Sequence, residues 1–248
     1  MIIEKKSTYE FDTIWEKIPV FTDKNIALVT AMVNNDSAYR RAFDVTCETS
    51  SAGFLSKGFP ESYKDILEAV KLLDRENSTH LSSTGRDKGS GGGRDKVAEY
   101  VKAHHDAIQS EIASGNASVV IELSEKPIPG RLIISFASKF CAFTNRYCFG
   151  GDCYSIVDNF LLQVLPAYEA IYLNVPIDKR KWLRQQENKY FDYKAYQDTI
   201  QEILNKINGS GDVSTQVGRK EFDLLLWYYY KGSEDRIKHL YQIVSEHI

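Results

Sequence analysis

The chain has 248 residues, 43% of them apolar and 26% charged, an ordinary globular balance with enough length to bury a substantial core. Its net charge of −3 gives no global attraction to nucleic acid, so any DNA contact must come from a local basic patch. No apolar run approaches the ~20 residues that a bilayer crossing needs. The start, Met1 to Lys6, lacks the apolar region of a secretory signal, which points to the cytoplasm.

Most of the chain reads as helix. Ile26, Val29, Val33 and Ala38 give a loose helical period over residues 25–43. From Glu61 to Asp74 the stripe is clearer, with Ile66, Leu67, Val70 and Leu73 on one side and charges opposite. Residues 82–94 (SSTGRDKGSGGGR) contain no apolar side chain and predict a mobile loop. Arg86, Lys88, Arg94 and Lys96 make that region basic, so it either clamps DNA or is a tolerated surface insertion. A weaker helical pattern spans Asp95 to Ile112. Ser118 to Leu123 (SVVIEL) is short and β-branched, either a strand or a buried helical turn.

Ile200, Ile203, Leu204 and Ile207 mark a helix over 198–207. Phe222, Leu225, Leu226, Tyr229, Ile237, Leu240 and Val244 mark a helical tail over 221–244, interrupted at Gly232. Lys179, Arg180, Lys181 and Arg184 form a second basic cluster, best read as a solvated face. The cysteines at 47, 141, 148 and 153 do not make a disulfide framework in a chain this long, and small buried hydrophobes are their expected role. No repeat or linker stands out, so residues 1–248 read as a single domain.

The informative window is 129–166: PGRLIISFASKFCAFTNRYCFGGDCYSIVDNFLLQVLP. Leu132, Phe136 and Phe143 fall on one side of a helix, and Lys139 falls on that same side. An ammonium within an apolar stripe is costly to bury unless paired. Such a setting favours the neutral amine that a nucleophilic lysine requires, while the alternative is a stem packed inside with its head in water. A polar loop over 145–155 follows. Asp158 then stands before the apolar run Phe160, Leu161, Leu162, Val164 and Leu165, where a carboxylate makes a good helix N-cap and can also face a pocket.

This window resembles the core of the helix-hairpin-helix DNA glycosylases, in particular a divergent 8-oxoguanine-DNA-glycosylase-like branch. In that family a hairpin of the form Gly–apolar–Gly–small–Lys ends on the catalytic lysine, and a Val-Asp pair follows at the head of a helix. Ser135-Phe136-Ala137-Ser138-Lys139 has that texture, and Val157-Asp158 follows with Lys139 and Asp158 19 residues apart. The hairpin glycines are replaced by Ser135 and Ala137. The resemblance implies a mainly α, two-lobed fold with a cleft between the lobes. It also implies a DNA glycosylase acting in repair or anti-phage defence, with AP-lyase activity open to it.

The expected partner is double-stranded DNA carrying a modified base, bound by a monomer without metal or organic cofactor. Lys139 would attack C1′ and Asp158 assist, with Ser135, Ala137 and Ser138 approaching a phosphate. A flipped base needs an aromatic pocket. Phe222, Trp227 and Tyr230 are either a wall of that pocket or ordinary core. The alternative reading is a non-catalytic DNA-binding or helical interaction protein.

Overall fold

A computed structural model describes residues 10–15, 18–36, 41–77, 79–81 and 92–248. It is mainly helical. The described elements are the strands β1 (Thr13–Ile14) and β2 (Ile18–Pro19) and the helices α1 (Asp23–Asn35), α2 (Ser51–Leu55), α3 (Tyr63–Asn77), α4 (Gly93–Ala103), α5 (His105–Ser114) and α6 (Ser118–Glu125). They continue with α7 (Ile134–Phe149), α8 (Asn159–Leu173), α9 (Lys181–Glu187), α10 (Tyr193–Gly209), α11 (Arg219–Tyr230) and α12 (Glu234–His247). Among the described residues no helix is long and apolar enough to cross a membrane.

Several boundaries differ from the periodicity, for local reasons. The first helix ends at Asn35, where Asn34, Asn35 and Asp36 are poor helix formers; of the rest of the expected segment, residues 37–40 lie outside the described residues and 41–43 are helical. The pattern over 95–112 is two helices, because His104 (φ −118°, ψ 27°) leaves the helical region between them. SVVIEL is helical and opens α6, so packing overrides its β-branched composition. Of the expected loop over 82–94, residues 82–91, with Arg86 and Lys88, lie outside the described residues. Gly93 and Arg94 are already helical. The polar stretch from 145 is not loop at first, since α7 continues to Phe149 and closes on Gly150 in the left-handed region.

The chain divides into two compact units. One comprises Asp158–Asn188, Ala195–Ile248 and the described part of Met1–Asn35. Its core is aromatic: Phe21 stacks on Phe222 with centroids 5.2 Å apart, and the hydroxyls of Tyr168 and Tyr230 meet at 3.2 Å. The β1–β2 pair is antiparallel, and Tyr168 donates to the Pro19 carbonyl beside it at 3.0 Å.

The other unit comprises Asp36–Val157 and Lys189–Lys194. Its centre is α7, which packs against α2, α3, α5 and α6 and is buried continuously from Phe136 to Asn145. A helix covered on all sides must be apolar nearly all round, and the side chains of α7 satisfy this except at a few polar positions. One of these, Asn145, bridges α5 and the following loop, donating to Ile112 O at 2.8 Å and accepting from Cys153 N at 3.0 Å. Gly151 passes so close that a Cβ there would come within 2.4 Å of the Asn145 amide oxygen. Tyr154 secures the same loop by donating to Glu111 O and Asn116 O.

Candidate functional site

Lys139 lies in the second turn of α7 and is 6% exposed. Phe136 and Phe143, its stripe partners, are buried with it. Its ammonium is not left without an acceptor, because Nζ donates to the carbonyl of Asn77 at 3.2 Å. Asn77 is the last residue of α3, so the cation sits at a helix end where carbonyls are unspent and the helix dipole is negative.

Ser138, immediately before Lys139, is fully buried and accepts the Val157 amide at 2.9 Å. Its hydroxyl also reaches the Ser135 carbonyl at 3.2 Å. Val157 is the residue before Asp158, so one hydrogen bond ties the residues that precede the two expected catalytic side chains. The same extended segment is held at Ser155, whose carbonyl accepts from Tyr193 at 2.8 Å.

Asp158 caps α8 as its sequence position predicts. Its backbone is extended (φ −128°, ψ 145°) and its carboxylate accepts the Phe160 amide at 2.9 Å. Asp158 opens one compact unit and Lys139 belongs to the other, so the 129–166 window is divided after Val157.

The turn that precedes the lysine lies upstream of where the resemblance puts it. Residues 126–133 join α6 to α7, with Gly130 in the left-handed region (φ 76°) and Ile133 N bonded back to Ser124 O at 2.9 Å. Ser135, Ala137 and Ser138 are helical instead. Ala137 and Ser138 are buried, and the Ala137 amide is spent on Ile133 O at 3.0 Å. A phosphate cannot use an amide already bonded inside a helix, so the exposed residues Pro129, Gly130 and Arg131 are the accessible part of this turn.

The other expected contacts are scattered. Arg94 pairs through Nε with Asp74 at 2.7 Å, and Lys96 is half-buried on α4. In the second basic cluster, Arg180 pairs with Glu187, Arg184 with Asp178 and Lys181 with Glu169, so its charge is largely neutralised within its own surface. Phe222 and Tyr230 are core residues of their unit. Trp227 is half-buried, with Lys231 Nζ 3.6 Å from its ring centroid.

Cys141 is fully buried, and burial pushes its thiol well up. Burial also pushes Cys148 up to about 12, and its Sγ donates to Leu55 O. Among the described residues no three His, Cys, Asp or Glu side chains gather as a metal site.

Three groups that shape the site are not visible in the sequence motif: Asn77, Asp74 and Glu76, all at the end of α3. Their partners lie on α7, on α4 and on α2, and only packing brings these together. No family model matches the chain, and neither does any curated protein or any solved structure.

Proposed function

We propose that this protein is a DNA glycosylase of the helix-hairpin-helix type in which Lys139 is the nucleophile and Asp158 its electrostatic partner. The reading brings with it the two-lobed, cleft-bearing fold of that superfamily. The observation that carries it is a lysine held inside an otherwise apolar helix, its neighbour Ser138 bonded to the segment that ends on Asp158. A cation is expensive to place there for packing alone.

In the proposed step the Lys139 amine attacks C1′ of a flipped nucleotide. The C1′–base bond breaks and the base leaves with the bonding pair, giving an N-linked sugar. The C1′–O4′ bond then opens, O4′ takes up the proton that the amine gives up, and a protein–sugar iminium remains. The Asp158 carboxylate stabilises the positive charge that develops on the sugar. Loss of a proton from C2′ of the iminium then breaks the C3′–O bond, and the 3′ phosphate leaves with the bonding pair, which cleaves the strand.

The test is borohydride trapping on duplex oligonucleotides bearing a panel of modified bases or an abasic site. A covalent adduct is expected with the wild-type protein and none with Lys139→Gln, whose melting temperature should stay close to wild type. An adduct that survives the substitution would show that another amine attacks.

One observation favours a second reading. Because Lys139 Nζ meets the terminal carbonyl of α3, the residue also serves as a helix cap between α3 and α7. A protein in which that is its whole role gives no adduct on any substrate.

A further inference from the structure

The last turn of α3 carries three attachments within four residues. Asp74, its side chain 1% exposed, accepts from Thr79 Oγ1 at 2.6 Å, Leu81 N at 2.8 Å and Arg94 Nε at 2.7 Å. These bonds hold one side of the helix end to residues 79–81 and to the start of α4. Asn77 offers its carbonyl to Lys139. Between them, Glu76 reaches toward α2, where its Oε2 accepts both the amide of Ser51 at 2.9 Å and its hydroxyl at 2.6 Å.

The carboxylate of Glu76 is 8% exposed, and Oε1 has no hydrogen-bond partner among the described residues. Its nearest cation is Arg75 Nη2 at 3.7 Å, on a side chain that is 57% exposed. A buried carboxylate oxygen without a donor needs an explanation. Here the two Ser51 donors fix the rotamer by claiming one oxygen, and the other is left where the packing of α2 on α3 puts it. Because α2, α3 and α7 pack against one another, whatever fixes the end of α3 on α2 also fixes where the Asn77 carbonyl meets Lys139.

We propose that Glu76 is a positioning residue for Lys139, clamping the last turn of α3 onto α2 through Ser51 so that the Asn77 carbonyl seats the amine. Its functional meaning rests on the glycosylase reading, but its geometry does not.

The experiment is reductive methylation of the whole protein with formaldehyde and cyanoborohydride, followed lysine by lysine with peptide mass spectrometry. Glu76→Ala should speed methylation of Lys139 by roughly tenfold through local opening of the helix end, with Lys181 unchanged as a control. Glu76→Gln should stay near the wild-type rate, because the carboxamide oxygen accepts the same two Ser51 donors. Ser51→Ala removes one of those donors and should fall between, and it decides the matter if Glu76→Ala does not fold.

An unchanged Lys139 rate in Glu76→Ala, or in Ser51→Ala where that variant decides, overturns the clamp. So does a Glu76→Gln rate as fast as that of Glu76→Ala, since the effect is then one of charge and not of geometry. On abasic DNA, borohydride adduct should drop in Glu76→Ala and return in Glu76→Gln. If wild-type protein gives no adduct while the methylation pattern holds, the glycosylase reading falls and the clamp stands.

Discussion

Glu169 in one compact unit and Lys139 in the other are each buried in a largely apolar helix, and the bonds they make differ. In one unit Glu169 of α8 is 4% exposed, and both of its oxygens are met by side chains of α9: Trp182 Nε1 at 2.5 Å and Lys181 Nζ at 2.9 Å. In the other, Lys139 of α7 donates to a main-chain carbonyl at a helix end. A carboxylate that collects two donors from the next helix docks that helix, and the pair explains itself. The Lys139 ammonium reaches α3 through a main-chain acceptor instead, and that bond fastens α7 to the end of the helix.

The comparison breaks most sharply under matched substitutions. Lys181→Met leaves the Glu169 carboxylate buried with the indole as its remaining side-chain donor. The expected loss is about 2 kcal/mol, below the usual cost of stripping one partner from a buried pair because the Lys181 side chain is 39% exposed. Lys139→Met instead removes the buried ion itself and fills its volume with apolar atoms. Its expected effect is within about 1 kcal/mol of wild type, with either sign. Denaturant midpoints of the two variants check the order. A Lys139→Met variant less stable than Lys181→Met would make Lys139 the structural ion.

A second prediction concerns Asp74, beside the seat of Lys139. Burial alone raises its carboxyl, but the donors from Thr79, the Leu81 amide and Arg94 outweigh that and hold it below the ordinary carboxylate value. A depressed folded value means the stabilisation is present above the unfolded value and lost as pH falls through the folded one. Asp74→Asn should therefore cost about 1–2 kcal/mol near neutral pH. The gap from wild type should close as pH drops below ~4. A gap that persists unchanged at low pH would mean that shape, not charge, holds this corner.

How much was legible in the sequence follows the same division. Helical stripes such as Ile66, Val70 and Leu73 report burial directly, so most helices could be read from spacing. The position of Asp158 before an apolar run was enough to foresee its cap, because an N-cap is satisfied within three residues. What spacing could not show is any bond across long separations. Lys139 and Asn77 are 62 residues apart, and Ser51 and Glu76 are 25 apart. The displaced turn was hidden for a different reason. Ser135 and Ala137 are small enough for a hairpin yet equally at home in a buried helix, and the packing of α7 decided between them.

The smallest stability effect belongs to Asp158, and it separates capping from chemistry. Asp158→Asn keeps a good N-cap, since the amide oxygen can accept the Phe160 amide as the carboxylate does. Stability should fall by well under ~1 kcal/mol, whereas Asp158→Ala should lose ~1 kcal/mol. If the carboxylate stabilises charge developing on a sugar, the Asn variant should excise base more slowly by on the order of 10²–10³-fold. On the same reading DNA affinity should hold or rise, because the substitution would remove a negative charge from a surface that binds phosphates. If Asp158 is only a cap, the pattern reverses: Asn behaves as wild type in every assay, and Ala alone shows a defect, in melting temperature. Single-turnover excision by the Asn variant at the wild-type rate would therefore confine Asp158 to the start of α8. The Ser138–Val157 bond would then be an ordinary tie between a helix and a passing strand of backbone.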